Sequence, residues 1–355
     1  MGKSARGLFF SLLLIAFGVA NAVAEEDLSA NDTSVNQGAI HTHTHKHKVR
    51  HHAAHRRVAF AHGRHHAGLQ RVAYTPASAA APVSVGDLAG LNRTRDALDL
   101  KSSVALVLDQ SSSQVLFDKN SAVALPIASI TKLMTSLVVV EAKQDMNEIL
   151  EITDADVDRE KNSASRLHPG VRMSRGNMLH IALMSSENRA ASALGRNYPG
   201  GLPAVVAAMN AKAKELGMND THYVEPTGLS SQNVASARDL AKLVAAAQQE
   251  PLLCQYSTDS KYVFADASGR ERQYCNSNHL VSNPTWDILL QKTGYITEAG
   301  HCLVMRAMIE GRAVIMVFLD SKGKQSRLAD AGRIRKWLET LKPTAATHLT
   351  AATQG

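Results

Sequence analysis

Cysteine is scarce in this sequence, which limits what its thiols can do. The 355 residues include three cysteines, Cys254, Cys275 and Cys302, and no two of them form a C-x-x-C pair. Zinc-binding and redox roles are therefore not expected. At most one internal disulfide can form. We weigh a bond between Cys254 and Cys275 equally against three unpaired thiols that pack as small apolar groups.

Apolar runs of membrane-spanning length are also lacking. One apolar run extends from Leu8 to Ala20, follows Lys3 and Arg6, and leads into small residues that end at Ala24. These features predict a signal peptide over residues 1–24 and export of the mature protein to the periplasm. An uncleaved membrane anchor is the alternative interpretation.

Acidic residues are absent between Thr33 and Val85, where seven lysines and arginines lie. Because this segment accounts for the formal net charge of +7, the rest of the chain is nearly neutral. A basic segment on a neutral domain suits peripheral association with an acidic envelope polymer or lipid surface. We expect no nucleic-acid partner.

Histidine is concentrated in the same segment. Ten of the sixteen histidines lie between His41 and His66, and they follow neither a helical nor a strand period. Residues 25–85 are therefore predicted to be a disordered linker that ends in a Pro/Ala-rich spacer at 75–83. The imidazoles could bind zinc, nickel or copper loosely, but the lack of a defined ligand spacing favours a solvated tether.

One catalytic domain is predicted over residues 86–341, followed by a flexible tail at 342–355. Strand-like runs occur near both ends of this region, at 103–108, 114–117, 288–295, 301–309 and 313–319. Helical patterns begin near residue 129 and continue at 177–184, 188–195, 202–216, 237–248 and 327–341. This order predicts an α+β domain, in which a five-stranded antiparallel sheet is flanked by helices and carries an inserted helical subdomain.

The first chemical motif is Ser129-Ile130-Thr131-Lys132, which follows Pro126 at a predicted helix start. Residues three apart on a helix share a face, so Lys132 Nζ can reach Ser129 Oγ. Serine is a poor nucleophile until a neighbour accepts its proton. Lysine can do so only if its pKa is lowered by burial or by a nearby cation such as Lys292.

Two further motifs follow in the chain, and their order is informative. Ser186-Glu187-Asn188 lies between two predicted helices, and Lys292-Thr293-Gly294 lies on a predicted strand. Each pattern is weak alone, because other copies of S-x-N or S-x-x-K begin at Ser29, Ser34, Ser231 and Ser321. The order S-x-x-K, S-x-N, K-T-G excludes every rival except Ser231, which we place in a loop.

In this order the motifs resemble those of low-molecular-mass penicillin-binding proteins, the D-alanyl-D-alanine carboxypeptidase and endopeptidase family. The similarity covers residues 86–341 and includes the segments 225–229 (EPTGL), 235–240 (ASARDL) and 322–323 (KG). The resemblance implies a penicillin-binding-protein and β-lactamase-like transpeptidase fold, and acyl transfer that needs no metal or cofactor. The implied partners are peptidoglycan stem peptides, and β-lactam antibiotics that acylate the same serine.

The resemblance also implies roles for the catalytic residues Ser129, Lys132, Ser186 and Asn188. Ser129 would be the acylated nucleophile and Lys132 its proton acceptor. Ser186 would relay the proton to the leaving amine, and Asn188 would hold the substrate amide or the lysine.

Substrate binding is implied for Lys292, Thr293, Gly294, Tyr295 and Arg327. Lys292 would supply positive charge, Thr293 would bind the substrate backbone or carboxylate, and Gly294 would leave room for a peptide beside the strand. The backbone N–H groups of Ser129 and Tyr295 would form the oxyanion hole. Arg327 would supply charge at the carboxylate end; a surface helix cation is the alternative.

Within the family, the sequence favours an endopeptidase that cuts cross-links. Few residues follow Trp337, where carboxypeptidases commonly carry a β-rich domain and an amphipathic anchor. A D-alanyl-D-alanine carboxypeptidase is the first alternative. A serine β-lactamase is less favoured, because the loop at Glu225-Pro226 lacks the asparagine that accompanies the deacylating carboxylate. The non-enzymatic alternative is a His-rich protein that binds metal or the envelope.

Overall fold

The computed structural model describes residues 83–341. The predicted signal peptide, nearly all of the predicted linker and the predicted tail lie outside this range. The first helix, α1 (Val85–Leu88), begins after Ser84, whose Oγ accepts a hydrogen bond from Asp87 N. Val85 N also donates to Glu298 O. The first helix of the domain therefore begins just before the predicted boundary at residue 86.

Every strand and helix predicted from the sequence is present, with ends that differ by a few residues. The strands are β1 (Ser102–Asp109), β2 (Val115–Lys119), β3 (Leu125–Pro126), β4 (Ile149–Glu151), β5 (Arg172–Ser174), β6 (Val234–Ala235), β7 (Lys261–Ala265), β8 (Glu271–Cys275), β9 (Asp287–Ile296), β10 (Gly300–Ile309) and β11 (Arg312–Ser321). The helices after α1 are α2 (Thr131–Glu141), α3 (Arg175–Met184), α4 (Asn188–Arg196), α5 (Gly201–Glu215), α6 (Ala237–Ala247), α7 (Pro251–Thr258) and α8 (Ser326–Thr340).

The main sheet combines the two ends of the domain, as predicted. Its five strands lie in the order β2-β1-β11-β10-β9, and all neighbours are antiparallel. Strand β9 is one of the two edge strands, and its Lys292, Thr293 and Gly294 lie opposite residues of β10. The K-T-G motif therefore lies on a strand with one unpaired edge that faces away from β10.

Both faces of this sheet are covered, which explains why β1 reads as a continuous apolar run. Val104 and Leu106 belong to the larger core, which also contains α2 and α6. Ala105 and Val107 belong to a second core, which α8 covers with Leu328, Ala331, Ile334 and Leu338. Alternate residues of one strand thus enter separate cores.

Helix α2 is buried on nearly all sides, from Thr131 to Val139. A helix with such surroundings lies inside a domain rather than on its surface. Strand β3, which precedes it, pairs with β6 through Leu125 and Ala235. The nucleophile motif is consequently held between the main sheet and the helical subdomain.

Sequence periodicity missed the smaller elements of the subdomain. Helix α7, the β4–β5 pair and the β7–β8 hairpin were not predicted, because runs of three to eight residues carry little periodic signal. The hairpin matters for function, since β8 leads into Ser277 beside the K-T-G strand.

The sequence left open a disulfide or three unpaired thiols, and the structure has unpaired thiols. Cys254 is half-buried, Cys275 is exposed and Cys302 is buried, and none of them forms a disulfide within the described residues. The bond weighed between Cys254 and Cys275 is therefore wrong. Within residues 83–341, no helix has both the length and the apolar character needed to cross a bilayer.

Candidate active site

Ser129 lies in a 3-10 turn, Ala128–Ile130, that runs directly into α2. This junction places Lys132 on the same face, and its Nζ is 2.8 Å from Ser129 Oγ. Nζ also donates to Asn188 Oδ1 at 2.6 Å and to Thr227 O at 2.6 Å. Three acceptors from three different segments thus fix the lysine beside the serine.

The environment of Lys132 makes its neutral amine form accessible near neutral pH. Its side chain is 0% exposed, and burial lowers the pKa of Lys132 to about 8, although the carboxylates of Glu225 and Glu187 oppose this shift. Removing an ammonium from water disfavours its charged form. Of the two causes that the sequence left open, burial and the charge of Lys292, burial is thus the main cause of the lowered pKa.

Lys292 is the second fully buried lysine of the site. Its Nζ donates to Ser186 Oγ at 2.9 Å and to Thr293 O at 2.8 Å. Burial holds the pKa of Lys292 well below its ordinary value, and the positive charges of Lys132 and Arg327 add to the effect. The serine of the S-x-N motif therefore contacts Lys292 of the K-T-G strand, whereas the asparagine of the same motif contacts Lys132.

The S-x-N motif occupies the sharp link between α3 and α4. Ser186 has φ of 65°, a left-handed conformation that is uncommon for residues with a side chain. Glu187 caps α4, and Asn188 Nδ2 donates to Ser163 Oγ at 3.0 Å. The link thus directs Ser186 and Asn188 towards the two lysines.

Two glycines allow close packing around the nucleophile. A Cβ added to Gly294 would lie 3.0 Å from both Ile127 O and Ser129 N. A Cβ added to Gly228, where φ is 82°, would lie 1.9 Å from Ala128 O. Glycine in the K-T-G motif therefore lets strand β9 lie against the nucleophile turn, in addition to the room that we expected it to leave for substrate.

Thr293 has a partner that the motifs do not include. Its Oγ1 is 2.6 Å from Ser277 Oγ, and Ser277 N donates to Met184 O. A network of buried amides holds this segment, since Asn276 Nδ2 donates to Ser257 O and Asp259 O. Ser277 therefore connects the K-T-G strand to the end of α3.

Tyr295 and Arg327 are arranged differently from the other predicted residues. The Tyr295 ring is 54% exposed and stacks on His301, with ring centroids 4.3 Å apart. Arg327 is only 8% exposed, so the surface-cation alternative is wrong. Its guanidinium donates to Lys324 O, and its charge helps to lower the pKa of both Lys292 and His301.

Sequence reasoning missed Asn233, which anchors the nucleophile helix. This buried side chain donates to Thr131 Oγ1 at 3.1 Å and to Glu225 O at 2.9 Å, and Val224 N donates to its Oδ1. Asn233 is the asparagine of the S-x-N copy at Ser231, which motif order could not exclude. It supports the site, whereas Ser186 and Asn188 contact the lysines.

Glu225 is not free to activate water as a β-lactamase carboxylate would. Its oxygens accept hydrogen bonds from Thr227 N and Gly228 N at 2.6 Å each, and from Asn233 Nδ2 at 2.9 Å. These bonds shape the loop whose Thr227 O holds Lys132. Across residues 83–341, no cluster of three or more His, Cys, Asp or Glu side chains could hold a metal ion. His41 to His66 lie outside the described residues.

Comparison with known proteins identifies the family of this chain. A family model described as D-alanyl-D-alanine carboxypeptidase, peptidase family S11, matches residues 92–323. The chain belongs to this family. The resemblance inferred from the motifs is thus confirmed.

Two curated relatives match the S11 chain over most of their length. A D-alanyl-D-alanine endopeptidase from Pseudomonas aeruginosa is 50% identical over 248 residues, 70% of this chain and 80% of the relative. A D-alanyl-D-alanine endopeptidase from Escherichia coli is 44% identical over 264 residues, 74% of this chain and 84% of the relative.

Solved structures agree on the fold. The Streptomyces K15 DD-transpeptidase superimposes with a TM-score of 0.63 at 24% identity, over 69% of this chain and 98% of that one. A penicillin-binding protein homologue from Mycobacterium tuberculosis superimposes with a TM-score of 0.62 at 29% identity, over 70% of this chain and 94% of that one. The predicted α+β transpeptidase fold is confirmed.

Proposed function

We propose that this S11 family member is a D-alanyl-D-alanine endopeptidase that cleaves peptidoglycan cross-links through an acyl-enzyme on Ser129. The observation that carries the proposal is the buried Lys132 Nζ, 2.8 Å from Ser129 Oγ. The names of the relatives at 50% and 44% identity support cross-links as the substrate. The carboxypeptidase description of the family model makes terminal D-alanine the alternative leaving group.

In the first half of the reaction, Ser129 Oγ attacks the carbonyl carbon of a D-alanyl residue. The hydroxyl proton passes to neutral Lys132 Nζ as the new C–O bond forms. When the C–N bond breaks, the proton that Lys132 accepted passes through Ser186 Oγ to the leaving amine, so Lys132 is neutral again. Ser186 Oγ is held 2.9 Å from Lys292 Nζ. The negative charge that develops on the substrate's carbonyl oxygen is stabilised by the backbone N–H groups of Ser129 and Tyr295.

In the second half, water attacks the acyl ester. Neutral Lys132 Nζ accepts a proton from this water and returns it to Ser129 Oγ as the C–O bond to Ser129 breaks. The products are a free carboxylate and the serine hydroxyl. Glu225 already accepts several hydrogen bonds within its own loop, so its carboxylate is not available to activate this water. A long-lived adduct with β-lactams is the consequence that we expect.

The lowered pKa of Lys132 predicts a pH profile for acylation. Only the neutral amine accepts a proton, so the second-order rate constant for acylation by a β-lactam should rise about tenfold per pH unit below pH 8 and level off above it. Stopped-flow acylation between pH 6 and 10 measures this profile. A rate that stays constant from pH 6 to 9 would exclude Lys132 as the proton acceptor.

Digestion of purified muropeptides tests the substrate. The full chain should convert cross-linked dimers into monomers, without releasing free D-alanine from monomeric pentapeptides. Replacing Ser129 with alanine should abolish the conversion and the covalent β-lactam adduct, since no other nucleophile lies within reach of Lys132 among the described residues. Release of D-alanine with dimers left intact would instead identify a carboxypeptidase.

Export to the periplasm is part of the proposal, because peptidoglycan lies outside the cytoplasmic membrane. Its support is the predicted signal peptide, which lies outside the described residues. Metal binding or envelope association by the segment from His41 to His66 stays a prediction.

A further inference from the structure

A cavity of about 350 Å³ lies outside the three motifs, between the loop 165–168 and strand β8. Four basic side chains line it, together with one acid and one aromatic ring: Arg166, His168, Arg270, Arg272, Glu271 and Tyr274. The roles described above use none of these residues. The concentration of guanidinium groups raises the question of what anion they bind.

Arg272 is already neutralised. Its Nε and NH2 atoms each lie 2.8 Å from Asp266 Oδ2. The guanidinium of Arg166 stacks on the Tyr274 ring, 4.1 Å from the centroid, and NH1 donates to Gln273 O. These contacts orient Arg166 but supply no counter-charge.

Arg270 has still fewer contacts, since its guanidinium makes no hydrogen bond or ion pair within residues 83–341. The carboxylate of Glu271 is the remaining acid of the lining. With Arg272 neutralised, the charges of Arg166, Arg270 and Glu271 sum to +1, so a ligand with a single negative charge fits better than a polyanion. A planar carboxylate matches the paired N–H donors of a guanidinium.

Each wall of the cavity lies three residues along the chain from a serine that contacts one of the motifs. In the loop, Arg166 follows Ser163, whose Oγ accepts a hydrogen bond from Asn188. In the hairpin, Tyr274 precedes Ser277, whose Oγ lies 2.6 Å from Thr293 Oγ1. Three residues of extended chain span at most about 10 Å. The cavity walls therefore lie within about 10 Å of the backbone of Ser163 and Ser277, so a peptide bound in the catalytic cleft can extend to the cavity.

We propose that this cavity is a subsite for a carboxylate of the peptide substrate, which Arg166 and Arg270 bind a few residues from the scissile bond. The subsite rests on the proposed function, because it assumes a peptide substrate in the cleft. It selects acidic peptides and adds a contact that a small β-lactam does not reach.

Binding to the full chain with Ser129 replaced by alanine tests the subsite without turnover. The probes are two peptides that end in D-alanyl-D-alanine and differ in one side-chain carboxylate, free in one and amidated in the other. In both peptides the residue that carries this carboxylate lies three residues before the penultimate alanine. We expect the free form to bind about 3- to 10-fold more tightly, and Arg270→Ala to remove this difference. Arg93→Ala is the matched control, since Arg93 is an exposed arginine before β1 that makes no side-chain hydrogen bond among the described residues.

Equal affinities for the two peptides, or a preference that survives Arg270→Ala, would overturn the subsite. Loss of the preference in the Arg93 control would also overturn it, because a general charge effect would then explain the data. The proposed function is judged separately, by whether the unaltered chain cleaves muropeptide dimers. A protein that cleaves dimers but binds both peptides equally lacks the subsite alone.

Discussion

Replacing Lys132 with alanine should lower the rate constant for β-lactam acylation by about 10²- to 10⁴-fold. The variant retains Ser129 but loses the amine that lies 2.8 Å from its hydroxyl. No second base takes over, because Lys292 Nζ is already directed at Ser186 Oγ and Thr293 O. Gel detection of a fluorescent penicillin adduct over time measures the rate.

Lys132→Arg separates the proton transfer from the positive charge. Arginine keeps the charge and can donate to Asn188 Oδ1, but it does not deprotonate near neutral pH. Acylation should therefore stay as slow as in Lys132→Ala. Thermal unfolding of both variants shows whether either substitution has destabilised the domain. A folded Lys132→Arg protein that acylates at nearly the normal rate would refute the role of Lys132 as base.

Gly228→Ala should be the most damaging single-methyl change in the site. The added Cβ would lie 1.9 Å from Ala128 O and 2.9 Å from Ser129 N, and φ of 82° disfavours any L side chain. The backbone of the nucleophile turn must move to admit it, so we expect a loss of about 2–5 kcal/mol of unfolding free energy. Acylation should fall by at least about tenfold, because Ser129 N shifts from its proposed position in the oxyanion hole.

Gly217→Ala is the matched control for this substitution. Gly217 also has positive φ, of 68°, but a Cβ there meets no atom within 4 Å. It should lose about 1–2 kcal/mol from backbone strain alone and acylate at the normal rate. Denaturant unfolding and acylation rates compare the two variants. Equal losses of stability and equal acylation rates would show that the contact with Ala128 O is unimportant.

Local patterns were sufficient for the framework of this protein. The apolar run of β1, the helical spacing after Ser129 and the turns between the last three strands depend on neighbours in the chain, so local patterns predicted them. Motif order then identified Ser129 and Lys132, because a spacing of three places both on one helix face wherever that helix packs.

The rest depended on contacts between segments far apart in the chain. No spacing relates Ser163 to Asn188, Ser277 to Thr293 or Gly228 to Ala128, since each pair meets only when loops, hairpin and sheet have packed. Motif order also left two copies of S-x-N, and only the structure shows that Asn188 lies beside Lys132 whereas Asn233 supports α2. The amino-acid order alone thus predicted which residues carry the chemistry. Only the packed structure decided that the pKa of Lys132 is lowered, because the burial that lowers it depends on atoms from segments remote in the chain.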